Sequence, residues 1–150
     1  MAGARLELDF DARRAIGAAA SAGTALRDPD ALLRELGDVL LPIHRRRFRA
    51  QQSPEGEPWA PLSPAYQRRK KRNKNRILVL NNYLAGTLRY QIEGGDLLFG
   101  TNRPYGATHQ FGRDAIPARP WLGIGRQDAL RLERTARDHV TRALRRGGAR

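Results

Sequence analysis

The chain has 150 residues, with 28 Lys or Arg against 15 Asp or Glu and a formal net charge of +13. That length suits one domain with a real hydrophobic core, and that charge draws a protein toward polyanions at low salt, nucleic acid and acidic protein surfaces alike. The absence of cysteine excludes a disulfide framework and a thiolate metal site, and no apolar run approaches the ~18 residues of a transmembrane helix.

Charges at Arg5, Glu7 and Asp9 fall where a secretory signal needs an apolar stretch, so the reading is of a soluble, cytosolic protein with no membrane contact. The same residues alternate with Leu6, Leu8 and Phe10, the period-two pattern of a half-buried strand. Asp11 offers an N-cap for a short alanine-rich helix to about residue 20, and 21–27 reads as a turn. Asp28-Pro29 is a strong helix start, a capping carboxylate followed by proline at the first helical position. Leu32, Leu33, Leu36, Val39, Leu40, Ile43 and Phe48 then recur at three- and four-residue steps, giving an amphipathic helix to about Ala50. Pro42 lies inside that pattern and is expected to kink the helix or split it.

Residues 51–63 form a polar, proline-punctuated loop whose large apolar groups, Trp59 and Leu62, are expected to pin it to the core. The next block contains Arg68, Arg69, Lys70, Lys71, Arg72, Lys74 and Arg76 with no anion. A run of like charge repels itself and buries little area, so 67–76 is expected to be a mobile basic loop unless a polyanion orders it. After the apolar run Ile77–Leu80, Asn82 is placed to cap a helical turn through Leu84 and Leu88. Tyr90–Glu93, Gly94-Gly95 and Asp96–Gly100 read as a β-hairpin with a Gly-Gly turn.

Residues 105–124 are too apolar for a tether, yet Gly112, Pro117 and Pro120 prevent one regular element. The prolines push Ile116 and Arg119 into extended geometry, giving a stiff segment that carries Phe111, Ile116, Arg119, Trp121 and Leu122. Such a segment must dock on the chain's own core or on a partner, and Trp59, Phe111 and Trp121 suit either role. Asp128 precedes a last helix with Leu132, Ala136, Val140, Ala143 and Leu144 on one stripe, followed by a frayed tail at about 146–150. The sum is a single α+β domain, a small antiparallel sheet packed against helices.

The residues for catalysis or cofactor binding are missing. His44, His109 and His139 fall on separate elements without metal-ligand spacing. No Gly-Lys pair exists for a phosphate loop, and Gly123-Ile124-Gly125 lacks the third glycine of a dinucleotide fingerprint. Ser21, Ser53 and Ser63 lie in loops without a nucleophile elbow. His109 and Asp114 make a conceivable acid–base pair, but a histidine that orients its own loop by hydrogen bonds is the simpler reading. No catalytic, cofactor or metal residue is assigned. The 68–76 cations suit sequence-indifferent phosphate binding, although Tyr66 is the one adjacent stacking platform.

Taken in order, Arg47-Phe48, Pro54-Glu55-Gly56, Pro58-Trp59-Ala60-Pro61-Leu62-Ser63, the basic stretch, Ile77-Leu78, the Leu84–Leu88 turn and Leu98-Phe99-Gly100-Thr101-Asn102 form a pattern. Tyr105-Gly106-Ala107-Thr108-His109-Gln110-Phe111-Gly112 and Ile116-Pro117-Ala118-Arg119-Pro120-Trp121-Leu122-Gly123 complete it. This order resembles the phage virion morphogenesis, or tail completion, family of Mu-like phages and prophages over roughly residues 30 to 145. Asn81-Asn82-Tyr83 and the density of charge at 68–76 depart from the usual pattern.

The resemblance implies a non-enzymatic structural protein of the neck and tail end, which finishes the tail and stabilises its joining to the DNA-filled head. It further implies a homo-oligomeric ring, a hexamer in the particle; the composition of the 68–76 loop fits a monomer in solution that gains order on assembly. Other phage neck and tail proteins would be its partners, in the host bacterial cytoplasm during assembly and then in the virion. His109, Gln110, Phe111, Gly112, Ile116, Pro117, Arg119, Pro120 and Trp121 are the candidate interface or motif residues. Arg119 is expected to fork onto a carboxylate across a contact. Arg68, Arg69, Lys70, Lys71, Arg72, Lys74 and Arg76 are the candidate contacts for an acidic partner or, non-specifically, DNA. The alternative is a basic nucleic-acid-binding protein that uses this same loop.

Overall fold

In a computed structural model that describes residues 5–8 and 28–148, the chain forms a small α+β fold. Strand β1 is Arg5–Leu8, helix α1 Pro29–Ala50, α2 Pro64–Arg69 and α3 Tyr83–Gly86. Strands β2 (Arg89–Glu93) and β3 (Asp96–Gly100), helix α4 (Tyr105–Phe111) and helix α5 (Arg126–Gly147) complete it. The sheet is antiparallel with order β1-β3-β2. Leu8 pairs with Leu97 and Arg5 with Gly100 on one side of β3, while Glu93 pairs with Asp96 and Arg89 with Gly100 on the other. The hairpin and the antiparallel sheet agree with the sequence reading; the expected helix at 11–20 lies outside the described residues.

Helix α1 starts as its residues dictate. The Asp28 carboxylate accepts the Ala31 N–H at 3.2 Å, and Pro29 occupies the first turn, where its missing N–H costs nothing. The helix continues through Pro42, so the proline does not split it in two. Pro42 and Asp38, whose carbonyl loses its partner, both lie on the exposed side of α1, so water can satisfy the orphaned group. The apolar stripe, including Leu32, Leu36, Leu40, Ile43 and Phe48, is buried. It packs α1 against α5, β2 and β3.

Phe48, Trp59 and Trp121 meet at the centre. The Phe48 and Trp59 rings lie edge-on with centroids 5.5 Å apart, and Phe48 and Trp121 are tilted at 6.0 Å. Trp121 is 0% exposed, so both tryptophans are core residues. A buried aromatic of this size removes roughly 150–250 Å² from water and contributes several kcal/mol before entropy is counted.

Two short helices were not expected. In α2 the Ser63 hydroxyl accepts the Tyr66 N–H at 3.2 Å and Pro64 fills the first turn. The helix therefore takes in Arg68 and Arg69. Lys70, expected to be solvated with its neighbours, is buried. Its ammonium donates to the carbonyl of Asn73 at 2.7 Å and to that of Arg76, tying a turn across 70–76. Helix α4 covers 105–111, the first third of the segment that Gly112 and the prolines keep from being one regular element. Helix α3 falls where a turn was expected, but Asn82 sits in the left-handed region and its side chain makes no cap. Helix α5 persists to Gly147, into the expected frayed tail; its buried residues, Asp128, Leu132 and Ala136, lie in its first half, and Leu144 is exposed.

Candidate functional site

The 105–123 segment doubles back on itself, and two side chains and one backbone hydrogen bond sew its halves together. The Gln110 amide oxygen accepts the backbone N–H groups of Trp121 at 3.0 Å and Leu122 at 2.9 Å, and its NH2 donates to the Leu122 carbonyl at 3.0 Å. The Trp121 indole N–H donates to the Gly106 carbonyl at 2.9 Å. The Arg119 backbone N–H donates to the His109 carbonyl at 2.7 Å. The reversal occurs at Gly112, with φ +76°; a Cβ there would lie 2.9 Å from the Ala118 nitrogen, so only glycine fits.

The doubled segment is locked to the proline-rich loop. Arg119 donates through Nε to the Ala60 carbonyl at 2.7 Å and through Nη2 to the Pro61 carbonyl at 2.9 Å. The Trp59 indole donates to the Pro120 carbonyl at 2.7 Å. Arg119 is itself buried, and its fork is held by backbone inside the protein rather than offered to a carboxylate across a contact. That corrects the expectation for this residue. The signal was available: a proline-punctuated loop has few N–H donors, so its carbonyls need donors from elsewhere.

Next to this lock lies a buried charge, Arg47, near the C-terminal end of α1. Arg47 donates to the carbonyls of Trp121 at 2.9 Å and Gly123 at 3.0 Å, and pairs with Asp128 at 2.7 Å. The same Asp128 oxygen accepts the Gly125 N–H at 3.0 Å at the start of α5. Burial lowers the Arg47 pKa, while Asp128 opposes that shift. Beside it His44 is fully buried. Its Nδ1 faces the Leu40 carbonyl at 2.9 Å and its Nε2 faces the Gly123 N–H at 3.3 Å. That pairing suits the neutral Nδ1–H tautomer, and burial, aided by the Arg47 charge, pushes its pKa down to about 3.

The outer face of the lock is different. A groove of about 1080 Å³ opens between the end of the proline-rich loop, α2, the 78–84 stretch and the 105–119 segment. Among the described residues eight large hydrophobic side chains are exposed, and Tyr66, Leu80, Tyr83, Tyr105 and Ile116 line this one groove. Pro117 also lines it, and Phe111, 76% exposed, projects from the same segment. His109, Arg69, Lys70 and Arg119 are its basic lining residues, and no carboxylate lines it.

The predicted motif residues thus separate into two groups. Gln110, Gly112, Arg119, Pro120 and Trp121 build the lock; Phe111, Ile116 and Pro117 face outward. His109 lines the groove, but its Nδ1 is buried with no hydrogen-bond partner among the described residues. That overturns its expected role as a hydrogen-bonding loop organiser, although its backbone carbonyl does hold Arg119. Burial first, and then the Arg119 charge, lower the His109 pKa. Asp114 is exposed and makes its ion pair with Arg113 at 3.7 Å, so it does not serve His109.

The basic block also divides. Lys70 is internal, whereas Arg68, Arg69, Lys71, Arg72, Lys74 and Arg76 are exposed and form no ion pair among the described residues. No group of three His, Asp or Glu side chains among the described residues is placed to hold a metal ion. No described helix is long and apolar enough to cross a membrane.

Comparison with known proteins gives this geometry a context. Residues 11–141 match the phage virion morphogenesis family. Mu-like prophage FluMu G protein 1 of Haemophilus influenzae is 31% identical over 106 residues, covering 68% of this chain and 73% of that protein. Mu-like prophage FluMu G protein 2 of the same organism is 31% identical over 83 residues, or 51% of this chain and 59% of its own length. No solved structure matches the chain. A chain-length family match, with a relative above 30% identity over most of both sequences, leads to one conclusion: this chain belongs to the phage virion morphogenesis family.

Proposed function

We propose that the protein is a structural component that completes a phage or prophage tail and stabilises its joining to the DNA-filled head. A role in virion assembly follows from the family and from the prophage relatives; placing it at the neck is the finer step. The observation that carries this step is the division of the motif segment. Gln110, Arg119 and the Trp121 indole are committed to backbone within the protein, while Tyr105, Ile116 and Pro117 line an open groove. A part that joins other parts needs that combination: a rigid support and an unfilled contact surface.

In this reading the protein works without catalysis, as a homo-oligomeric ring of six in the particle and as a monomer before assembly. Its ring contact is heterologous, one edge fitting a different edge of the neighbour. It assembles in the host bacterial cytoplasm and remains in the virion. The decisive experiment is deletion of the gene from an inducible lysogen, with electron microscopy of the lysate. Separate filled heads and tails are expected, restored to joined particles by the gene supplied in trans; joined particles at the undeleted level would overturn the reading. Mass measurement of the purified protein and of isolated necks tests monomer and ring.

A second reading, loose contact with DNA, is favoured by the six exposed cations of 68–76, which form no ion pair among the described residues. Binding that falls steeply with added salt and is indifferent to sequence is its signature.

A further inference from the structure

We infer that the groove between α2 and the 105–119 segment is the seat of a short acidic polypeptide segment, carrying apolar or aromatic anchors, from a different protein. The inference names the kind of partner and rests on the reading of the chain as an assembly component.

The floor asks for side chains. Leu62, Leu78, Leu80 and Ile116, with prolines at 61, 64 and 117, make a mostly aliphatic lining. Its volume, about 1080 Å³, accommodates several side chains together. Five exposed large hydrophobics in one place are an unfilled surface rather than scattered exposure.

The surroundings ask for negative charge. Residues 61–119 hold eleven Lys or Arg and three Asp or Glu, of which Glu93 and Asp96 flank the hairpin turn. Arg69 reaches the groove and forms no ion pair among the described residues. Arg103 stacks over Tyr83, a lining residue, with its guanidinium carbon 5.0 Å from the ring centroid. Among the described residues two buried side-chain nitrogens lack a hydrogen-bond partner, Arg103 Nε and His109 Nδ1. One sits on the arginine that covers a groove tyrosine and the other on a groove residue. Both nitrogens are themselves shielded from solvent, so the attraction for an acidic segment falls to the exposed Arg69 and to the Arg103 guanidinium stacked on Tyr83.

Two other occupants fit less well. A second copy of this chain brings its own excess of positive charge against a basic face. A nucleic acid needs free cations along its track, but inside the groove Lys70 and Arg119 are tied to carbonyls and burial lowers the His109 pKa, with free cations left to the rim. An apolar floor with a basic rim matches an acidic segment with apolar anchors.

The test uses the full-length protein and three fluorescent probes at physiological salt. One is a synthetic peptide library alternating acidic with apolar residues, the second the same design with basic residues, and the third a single-stranded oligodeoxynucleotide. Acidic–apolar peptides are expected to bind, and Leu80→Asp or Ile116→Asp to weaken them at least about tenfold. Both positions are exposed, and an unchanged circular-dichroism melt shows that each variant folds. The inference is overturned if the acidic library binds no better than the basic one. It is also overturned if the oligonucleotide binds and loses affinity with these apolar substitutions, or if Ile116→Asp acts by dissociating a self-associated form. In the lysogen, deletion that blocks joining while Leu80→Asp and Ile116→Asp both leave it intact refutes the groove and keeps the assembly reading. Deletion that leaves joining intact refutes the assembly reading itself.

Discussion

Arg47 makes more long-range polar contacts than its place among Arg45, Arg46 and Arg49 suggests. It joins α1 to two carbonyls before α5 and to Asp128 within it. Arg47→Ala would leave a buried carboxylate and two carbonyls short of a partner, so a loss of about 3–5 kcal/mol is expected in denaturant unfolding. Arg47→Lys should recover little, since one ammonium cannot reproduce three contacts from a fork. Full recovery by lysine would show that charge alone matters there.

His44 sets a pH dependence. Its native pKa of about 3 lies below the ordinary histidine value of about 6.5, so the unfolded chain binds the proton more readily than the folded one. The stabilisation is complete above the unfolded value and is lost as pH falls from about 6.5 toward 3, roughly 2–3 kcal/mol by pH 4.5. His44→Gln should be less stable at neutral pH but should show a flatter stability profile between pH 6.5 and 4.5. Parallel profiles for the two proteins would exclude this role.

At the scale of elements, the start of α5 depends on how closely it meets the proline-rich loop. A Cβ at Gly125 would lie 1.9 Å from the Pro54 carbonyl oxygen, a backbone atom that cannot rotate aside. Gly125→Ala is expected to lower stability by about 1–3 kcal/mol. Gly148→Ala, where the nearest atom is 3.5 Å away, should change the melt little. A second link between α1 and α5 is the Glu35 carboxylate, which pairs with His139 at 2.9 Å and Arg142 at 2.7 Å. The His139 hydrogen bond is the main cause that holds the Glu35 pKa below its usual value, with Arg142 adding to it. This stabilisation is present at neutral pH and is lost as pH falls through the lowered value.

The elements legible in the sequence are those long enough to show a period or marked by two signals at once. Helix α1 has its Asp-Pro start and seven apolar repeats, and the hairpin has two strands around Gly-Gly. Helices α2 and α4, of six and seven residues, are too short for periodicity. Ser63-Pro64 is the same start signal as Asp28-Pro29, but the cations that follow mask it. The lock was legible as a list of residues and not as contacts. Gln110, Arg119 and Trp121 act on carbonyls and N–H groups, which every residue carries and no pattern marks. Lys70 was hidden for a related reason: in a run of seven cations, nothing in composition tells the buried one from the rest.

For the whole molecule, charge and stability are separable. Replacing Arg68, Arg69, Lys71, Arg72, Lys74 and Arg76 by glutamine together should leave the melting transition nearly unchanged, because these side chains are exposed and unpaired among the described residues. Binding to polyanions should fall sharply, with a shallower salt dependence. Lys70→Ala alone should lower stability, since it frees the carbonyls of Asn73 and Arg76. Equal effects on the melt from the sixfold and the single change would contradict this division of the block.

The strand order β1-β3-β2 has a consequence in time. Residues 5–8 must wait for residues 97–100, synthesised about ninety positions later, before they find their place beside β3. The hairpin of β2 and β3 is local and closes quickly; β1 joins across a long loop and closes late. Until it does, one edge of β3 has unpaired N–H and C=O groups, an edge that another unfinished copy could occupy. Hydrogen-exchange labelling during refolding should therefore protect 89–100 before 5–8.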